Sequence, residues 1–159
     1  MNGTERLSRH EARILALSAL FCWELTKDEP ASVFDRVAES FFFDDEDLRR
    51  GVRPSEDHRL AYARELFFSA LNKAPEIDPL IAKASQGWPV SRMPRVDLSL
   101  LRLAVAEVAH VRKVPLEVAI DEALEISKQY STHASPRFVN GVLMGVLREM
   151  GYVNDAREV

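Results

Sequence analysis

Apolar residues recur at helical spacing along most of the chain. Ile14, Leu17, Phe21 and Leu25 follow an i, i+3, i+7, i+11 pattern behind Ser8 and Glu11, whose spacing suits a capping box, so a first helix is predicted from about Ser8. Pro30 opens a second helix through ASVFDRVAESFFF, with Phe41, Phe42 and Phe43 assigned to the core and its lid. The acidic run DDEDLRR then leads into a loop marked by Gly51 and Pro54. Ser55 caps a third helix reaching about Lys73, with Leu60, Ala63, Phe67, Ala70 and Leu71 on one face and Pro75 as its stop. A shorter fourth helix lies in EIDPLIAKASQGW, closed by Gly87 and Pro89, and PVSRMPR is a connector. The fifth, VDLSLLRLAVAEVAHV, is apolar on every side, which marks a helix surrounded by others.

The stretch from Val114 to Met150 reads as a helical hairpin. Its first half, VPLEVAIDEALEISKQY, has Pro115 at the first helical position and Leu116, Ala119, Ile120, Ala123 and Leu124 at helical spacing. After the loop STHAS, Ser135 and Pro136 supply an N-cap hydroxyl and a preset φ for a last helix, which Gly151 ends. Val139, Leu143, Val146 and Met150 form its buried stripe, while Arg137, Gly141, Met144 and Arg148 lie on another side. Gly141 and Gly145 permit close approach of another backbone. The pattern is all-α, with about seven helices.

Composition narrows this picture. A chain of 159 residues suits one domain, or two small subdomains sharing a core, and its six glycines argue against a turn-rich β architecture. Cys22, the one cysteine, sits in ALFCWEL, cannot form an internal disulfide and reads as a small buried hydrophobe, which fits a reducing cytoplasm. Charges at Glu5, Arg6, Arg9, Glu11 and Arg13 exclude a signal peptide. The most apolar stretch, Val96 to Val111, is broken by Asp97, Arg102, Glu107 and His110, so no membrane span is predicted. On such a helix Arg102 and Glu107 need partners, because an unpaired buried charge is costly.

The net charge of −4 argues against a general nucleic-acid coat, so any such site must be local. Eight acids and one base, Arg36, lie between Asp28 and Asp47, whereas no acid occurs from Ile126 to Arg148, where Lys128, Arg137 and Arg148 stand. Arg9, His10 and Arg13 fall on one side of the first helical turns, with Arg6 just ahead. Cations there oppose the helix dipole, which points to a partner rather than to helix stability. Tyr130 and Phe138 serve either as core or as platforms on which single-stranded bases stack beside cations. The histidines His10, His58, His110 and His133 form no HExxH, and neither GxxxxGK[ST] nor GxGxxG is present. No catalytic residue, metal or cofactor is expected, and the chain is not read as an enzyme.

Three segments, HEARILALSALFCWEL, RVDLSLLRLAVAEV and above all VPLEVAIDEALEISKQYSTHASPRFVNGVL, resemble the NusB family of transcription antitermination factors. The resemblance covers nearly the whole chain and implies two helical subdomains, about 1–75 and 76–151, with a tail at 152–159. It further implies binding of boxA-type single-stranded RNA together with NusE, a small-subunit ribosomal protein. That complex joins the RNA polymerase elongation complex with other Nus factors, for processive transcription of ribosomal RNA operons. By position, the family's arginine-rich N-terminal motif corresponds to Arg6, Arg9, His10 and Arg13, and a second part of the RNA surface to Lys128, Ser135, Arg137 and Phe138. Phe21 and Asp97 correspond to positions facing NusE, although Phe21 also reads as core and Asp97 as a cap of the fifth helix.

Departures from the family pattern are Glu5 and Glu11 within the basic cluster and Ala134 and Pro136 ahead of FVNGVL. With about five cations, RNA binding should be weak and salt-dependent unless a partner extends the charged surface. Two alternatives stand beside this reading. One is a homodimer in which the same surface is occluded. The other is a NusB-like accessory domain of the kind fused to ribosomal RNA cytosine methyltransferases, for which 159 residues leave no room for an α/β cofactor domain.

Overall fold

The computed structural model describes residues 6–130 and 135–154. Glu5, Ala134 with most of the predicted STHAS loop, and the end of the 152–159 tail lie outside the described residues. Among the described residues there are seven α-helices and no strand, as the periodicity predicts. The chain divides into two compact units, Met1–Phe68 and Ser69–Val159.

In the first unit α1 (Arg9–Thr26) packs on α2 (Pro30–Phe42). The predicted capping box is present: Glu11 N–H donates to Ser8 Oγ at 3.0 Å and Ser8 N–H to Glu11 Oε1 at 3.2 Å. The buried stripe of α1 differs from the predicted one. Leu17 is buried, but Ile14 and Phe21 are half-buried and Leu25 is exposed, while Ala12, Leu15, Ala16, Ala19 and Leu20 are enclosed. Small alanines line the inner face, so the large side chains alone misplace it. Cys22 is likewise only half-buried. The aromatic core consists of Phe34, Phe67 and Phe68, with ring centroids 5.0–6.5 Å apart. With those places taken, Phe41 is left 74% exposed in the last turn of α2, contrary to its predicted burial.

The acidic run that leads into the loop at Gly51 and Pro54 forms a short helix of its own. Asp47 N–H donates to Asp44 Oδ1 at 2.8 Å and Asp44 N–H to Asp47 Oδ2 at 3.1 Å, a second capping box that starts α3 (Asp45–Arg50). Gly51, at φ 73°, ends it. Acids in its first turn and Arg49 and Arg50 in its last both complement the helix dipole. Two short 3₁₀ turns, Pro54–Glu56 and His58–Leu60, then replace the predicted cap at Ser55, whose N–H donates to Asp35 Oδ1 at 2.7 Å.

Arg59 lies in the second of these turns, and its side chain has no solvent exposure. It donates to Asp47 Oδ1 and to Asp57 Oδ2, each at 2.8 Å, and Arg50 adds a contact of 3.1 Å to Asp47. Burial pushes the Asp47 carboxyl up, but the Asp44 N–H and the Arg59 guanidinium outweigh it and hold the group below its ordinary value. Asp57 behaves alike: burial raises it, but the side chain and N–H of Arg59 outweigh that and hold it below its ordinary value.

α4 (Ala61–Ala84) gives its first turns to the first unit and the rest to the second. It runs through Pro75 and Pro79, where the sequence predicted a stop and a new helix. Each proline removes a helical N–H at a cost of about 3 kcal/mol. Enclosure of Ile77 and Ile81 on the same turns offsets that cost, as does the ion pair of Asp78 with Arg102.

In the second unit, α6 (Leu116–Tyr130) and α7 (Ser135–Glu149) pack on α5 (Arg95–Ala106) and on each other. Every residue of α5 from Asp97 onward is buried. Arg102 finds the partner its position demands, donating to both Asp78 oxygens at 2.8 and 2.7 Å. The predicted helix to Val111 changes hand-off at Ala106: Glu107–Val111 is a π turn, closed by Arg112 N–H donating to Glu107 O at 2.8 Å, with Arg112 at φ 59°. In α7 only one of the paired glycines meets a neighbour. A Cβ on Gly145 would lie 3.0 Å from the Ala84 Cβ, whereas one on Gly141 meets nothing within 4 Å.

Replacing Arg59 with Ala leaves the two buried carboxylates with only the partly exposed Arg50 as a cationic partner, and urea denaturation should show a loss of about 3–5 kcal/mol. Asp47 and Asp57 titrate lower in the folded chain than in the unfolded one. Their stabilisation is therefore complete above the unfolded value near 3.8 and lost as pH falls through the folded values. Urea midpoints should drop below about pH 4 in the wild type and drop less in Asp47→Asn. Gly145→Ala should cost about 1–3 kcal/mol by overpacking. Gly141→Ala, in open space inside a helix, should add about 0.5–1 kcal/mol, as thermal melts of the two variants can decide.

Candidate nucleic-acid interface

The basic N-terminal segment belongs to the first unit. Arg6 and Arg9 are exposed and His10 is half-buried. Three contacts hold the segment: Leu7 N–H donates to Arg59 O at 3.3 Å, Ser8 caps α1, and the Arg9 guanidinium carbon sits over the Tyr62 ring at 4.3 Å from its centroid. Arg13 departs from the expectation of a solvent-facing cation, being only 3% exposed. Its place in the helix explains this, because position 13 is followed at i+4 and i+7 by the buried Leu17 and Leu20. Phe21, expected to face a protein partner, is half-buried.

The acid-free segment belongs to the second unit. Lys128 and Arg137 are exposed, Phe138 is half-buried and Tyr130 is 52% exposed. Lys128 is not wholly unopposed, since Glu125 lies 3.9 Å away one turn earlier, but both are exposed and such a pair contributes little. Val139, Val142, Leu143, Val146 and Leu147 turn inward and leave Arg137, Asn140 and Gly141 outward, so α7 shows a cationic start to solvent.

Two predicted site residues meet each other instead of a partner. Ser135 Oγ donates to Asp97 Oδ2 at 2.9 Å, and both residues are 2% exposed. Ser135 is thus corrected from a surface contact to a buried tie between the start of α7 and the first turn of α5. Asp97 is likewise enclosed in the first turn of α5, whose N-cap position is taken by Pro94. Among the described residues no group of three or more His, Cys, Asp or Glu is placed to hold a metal ion. No helix there is long and apolar enough to cross a membrane.

The family model described as the NusB family matches residues 10–148. The chain belongs to the NusB family. The transcription antitermination protein NusB of Symbiobacterium thermophilum is 39% identical over 150 residues, covering 91% of this chain and 92% of its own length. Among solved structures, NusB of T. maritima superposes with a TM-score of 0.74 at 30% identity, over 91% of this chain and 93% of that one. A crystal structure of the antitermination factors NusB and NusE in complex with double-stranded RNA gives a TM-score of 0.72 at 26% identity, covering 89% and 96%.

Within this chain the sequence located the exposed cations Arg6, Arg9, Lys128 and Arg137 but missed Tyr62, which carries no signal beyond an aromatic residue at a helix start. It also missed the Ser135–Asp97 tie, which joins residues 38 apart. Ser135→Ala leaves a buried carboxylate short of one donor. Chemical denaturation should show a loss of about 1–3 kcal/mol, and a variant as stable as wild type would contradict the tie.

Proposed function

We propose that this chain is a transcription antitermination factor that binds boxA-type single-stranded RNA together with NusE and acts with other Nus factors in the RNA polymerase elongation complex on ribosomal RNA operons. The observation that carries the proposal is the shared fold, over about nine-tenths of this chain, with a NusB that was crystallised with NusE and RNA. The surface chemistry supports it. Arg6 and Arg9 in one unit, and Lys128 and Arg137 in the other, are exposed cations suited to phosphates, while Tyr130 and the partly open Phe138 offer rings to unstacked bases. Buried Arg13 is not read as an RNA contact, nor is Ser135, which ties the start of α7 to α5. Phe21 keeps enough exposure to contact NusE, whereas buried Asp97 shapes the start of α5.

About four cations against single-stranded RNA give a slope near −3 in log affinity against log salt, so binding by the chain alone should be weak at physiological salt. NusE would supply the remaining contacts. Fluorescence-anisotropy titration of a boxA oligomer should therefore show tighter binding when NusE is present and a preference over a scrambled oligomer. Arg137→Ala should weaken binding about threefold to tenfold with an unchanged melting curve. Equal affinity for boxA and scrambled RNA, or no gain from NusE, would sink the proposal.

A further inference from the structure

A cation at the end of a long side chain loses rotamer freedom when it grips a phosphate, and the loss is smaller if its position is set beforehand. Arg9 has such a setting. Its backbone is held by the Ser8–Glu11 capping box, and the residue before the cap, Leu7, is hydrogen-bonded to the main-chain carbonyl of Arg59. Arg59 is itself immobilised by Asp47 and Asp57 and stands three residues before Tyr62, in the turn that opens α4. Tyr62 is half-buried, so its ring is fixed by the helix while part of it remains open, and the Arg9 guanidinium lies over it at 4.3 Å. Arg9 is itself exposed, so the cation held over the ring remains accessible to a ligand from solvent.

We infer that Tyr62 is a positioning residue for RNA: its ring holds the exposed Arg9 cation where a backbone phosphate can meet it. The inference rests on the RNA-binding function proposed above. It adds a residue that neither charge nor motif singles out, and it gives the buried Arg59 cluster a second role. Besides pairing its own charges, that cluster anchors both the strand of chain leading into Arg9 and the turn that carries the ring.

The test is a double-mutant cycle on RNA affinity, using a boxA oligomer with NusE present and circular dichroism to confirm helix content. Arg9→Ala should weaken binding about five- to tenfold and reduce the salt slope by about 0.7. Tyr62→Leu should weaken binding about two- to fivefold, and Tyr62→Phe, which keeps the ring, should bind like wild type. Arg9→Ala/Tyr62→Leu should be no weaker than Arg9→Ala alone, because the ring acts only through the arginine. A purely structural role of Tyr62 would instead make the two effects multiply. Multiplying effects, or a Tyr62→Leu variant that binds like wild type while Arg9→Ala does not, would overturn the inference and leave the RNA-binding function standing. Absence of any RNA binding by the wild-type chain would remove both. Should Tyr62→Leu lose helix content, Arg9→Lys reads the same point from the other side. It keeps the charge without the planar group, and wild-type affinity in that variant would overturn the inference.

Discussion

A guanidinium withdrawn from water persists only where carboxylates surround it, and Arg59 shows how much of a fold such a requirement can organise. Its partners Asp47 and Asp57 come from α3 and from the turn before α4, so satisfying one charge draws both segments to the same point. The short α3 has too few residues to be stable by itself. Asp47, whose side chain accepts from the N-cap Asp44 in the capping box, is also the ligand of Arg59, which makes helix start and charge pairing a single event. The second unit obeys the same constraint with Arg102 and Asp78, and with Ser135 and Asp97. In each case a polar group buried in the interior specifies which segments meet, a task that apolar contacts, being non-directional, perform less selectively.

Much of the fold could be read from the chain. α1 behind its Ser8 cap and α2 opened by Pro30 lie where their punctuation places them, and α6 and α7 begin within one residue of it. α5 is buried all round, as its unbroken apolar character requires. Errors arose where a local rule competed with a distant contact. Pro75 is a stop signal in an isolated helix, yet the packing of Ile77 and Ile81 carries α4 past it. The DDED run satisfies the same capping rule that revealed α1, yet the sequence reading did not separate the helix it starts from the end of α2. Nothing local marks the π turn at Glu107–Val111.

For the candidate site, sign of charge was legible and exposure was not. Arg6, Arg9, Lys128 and Arg137 point outward, and Arg13 does not, because a cation's direction depends on which arc of its helix is covered. Burial of Asp97 and Ser135 is invisible in either residue alone, since each is the reason the other can be enclosed. Tyr62 matters through a neighbour 53 positions earlier in the chain, a relation that only folding creates.

The close meeting of Gly145 with Ala84 has a further implication, for the way this sequence can drift. The two positions share one small volume, filled by a single methyl group. Neither is individually invariant in physical terms, because glycine at 84 would vacate the space that an alanine at 145 requires. Exchanges at the two positions are therefore coupled: a change at one opens the other, and alanine at both is the disfavoured combination. The coupling joins residues 61 apart through volume alone, without a charge.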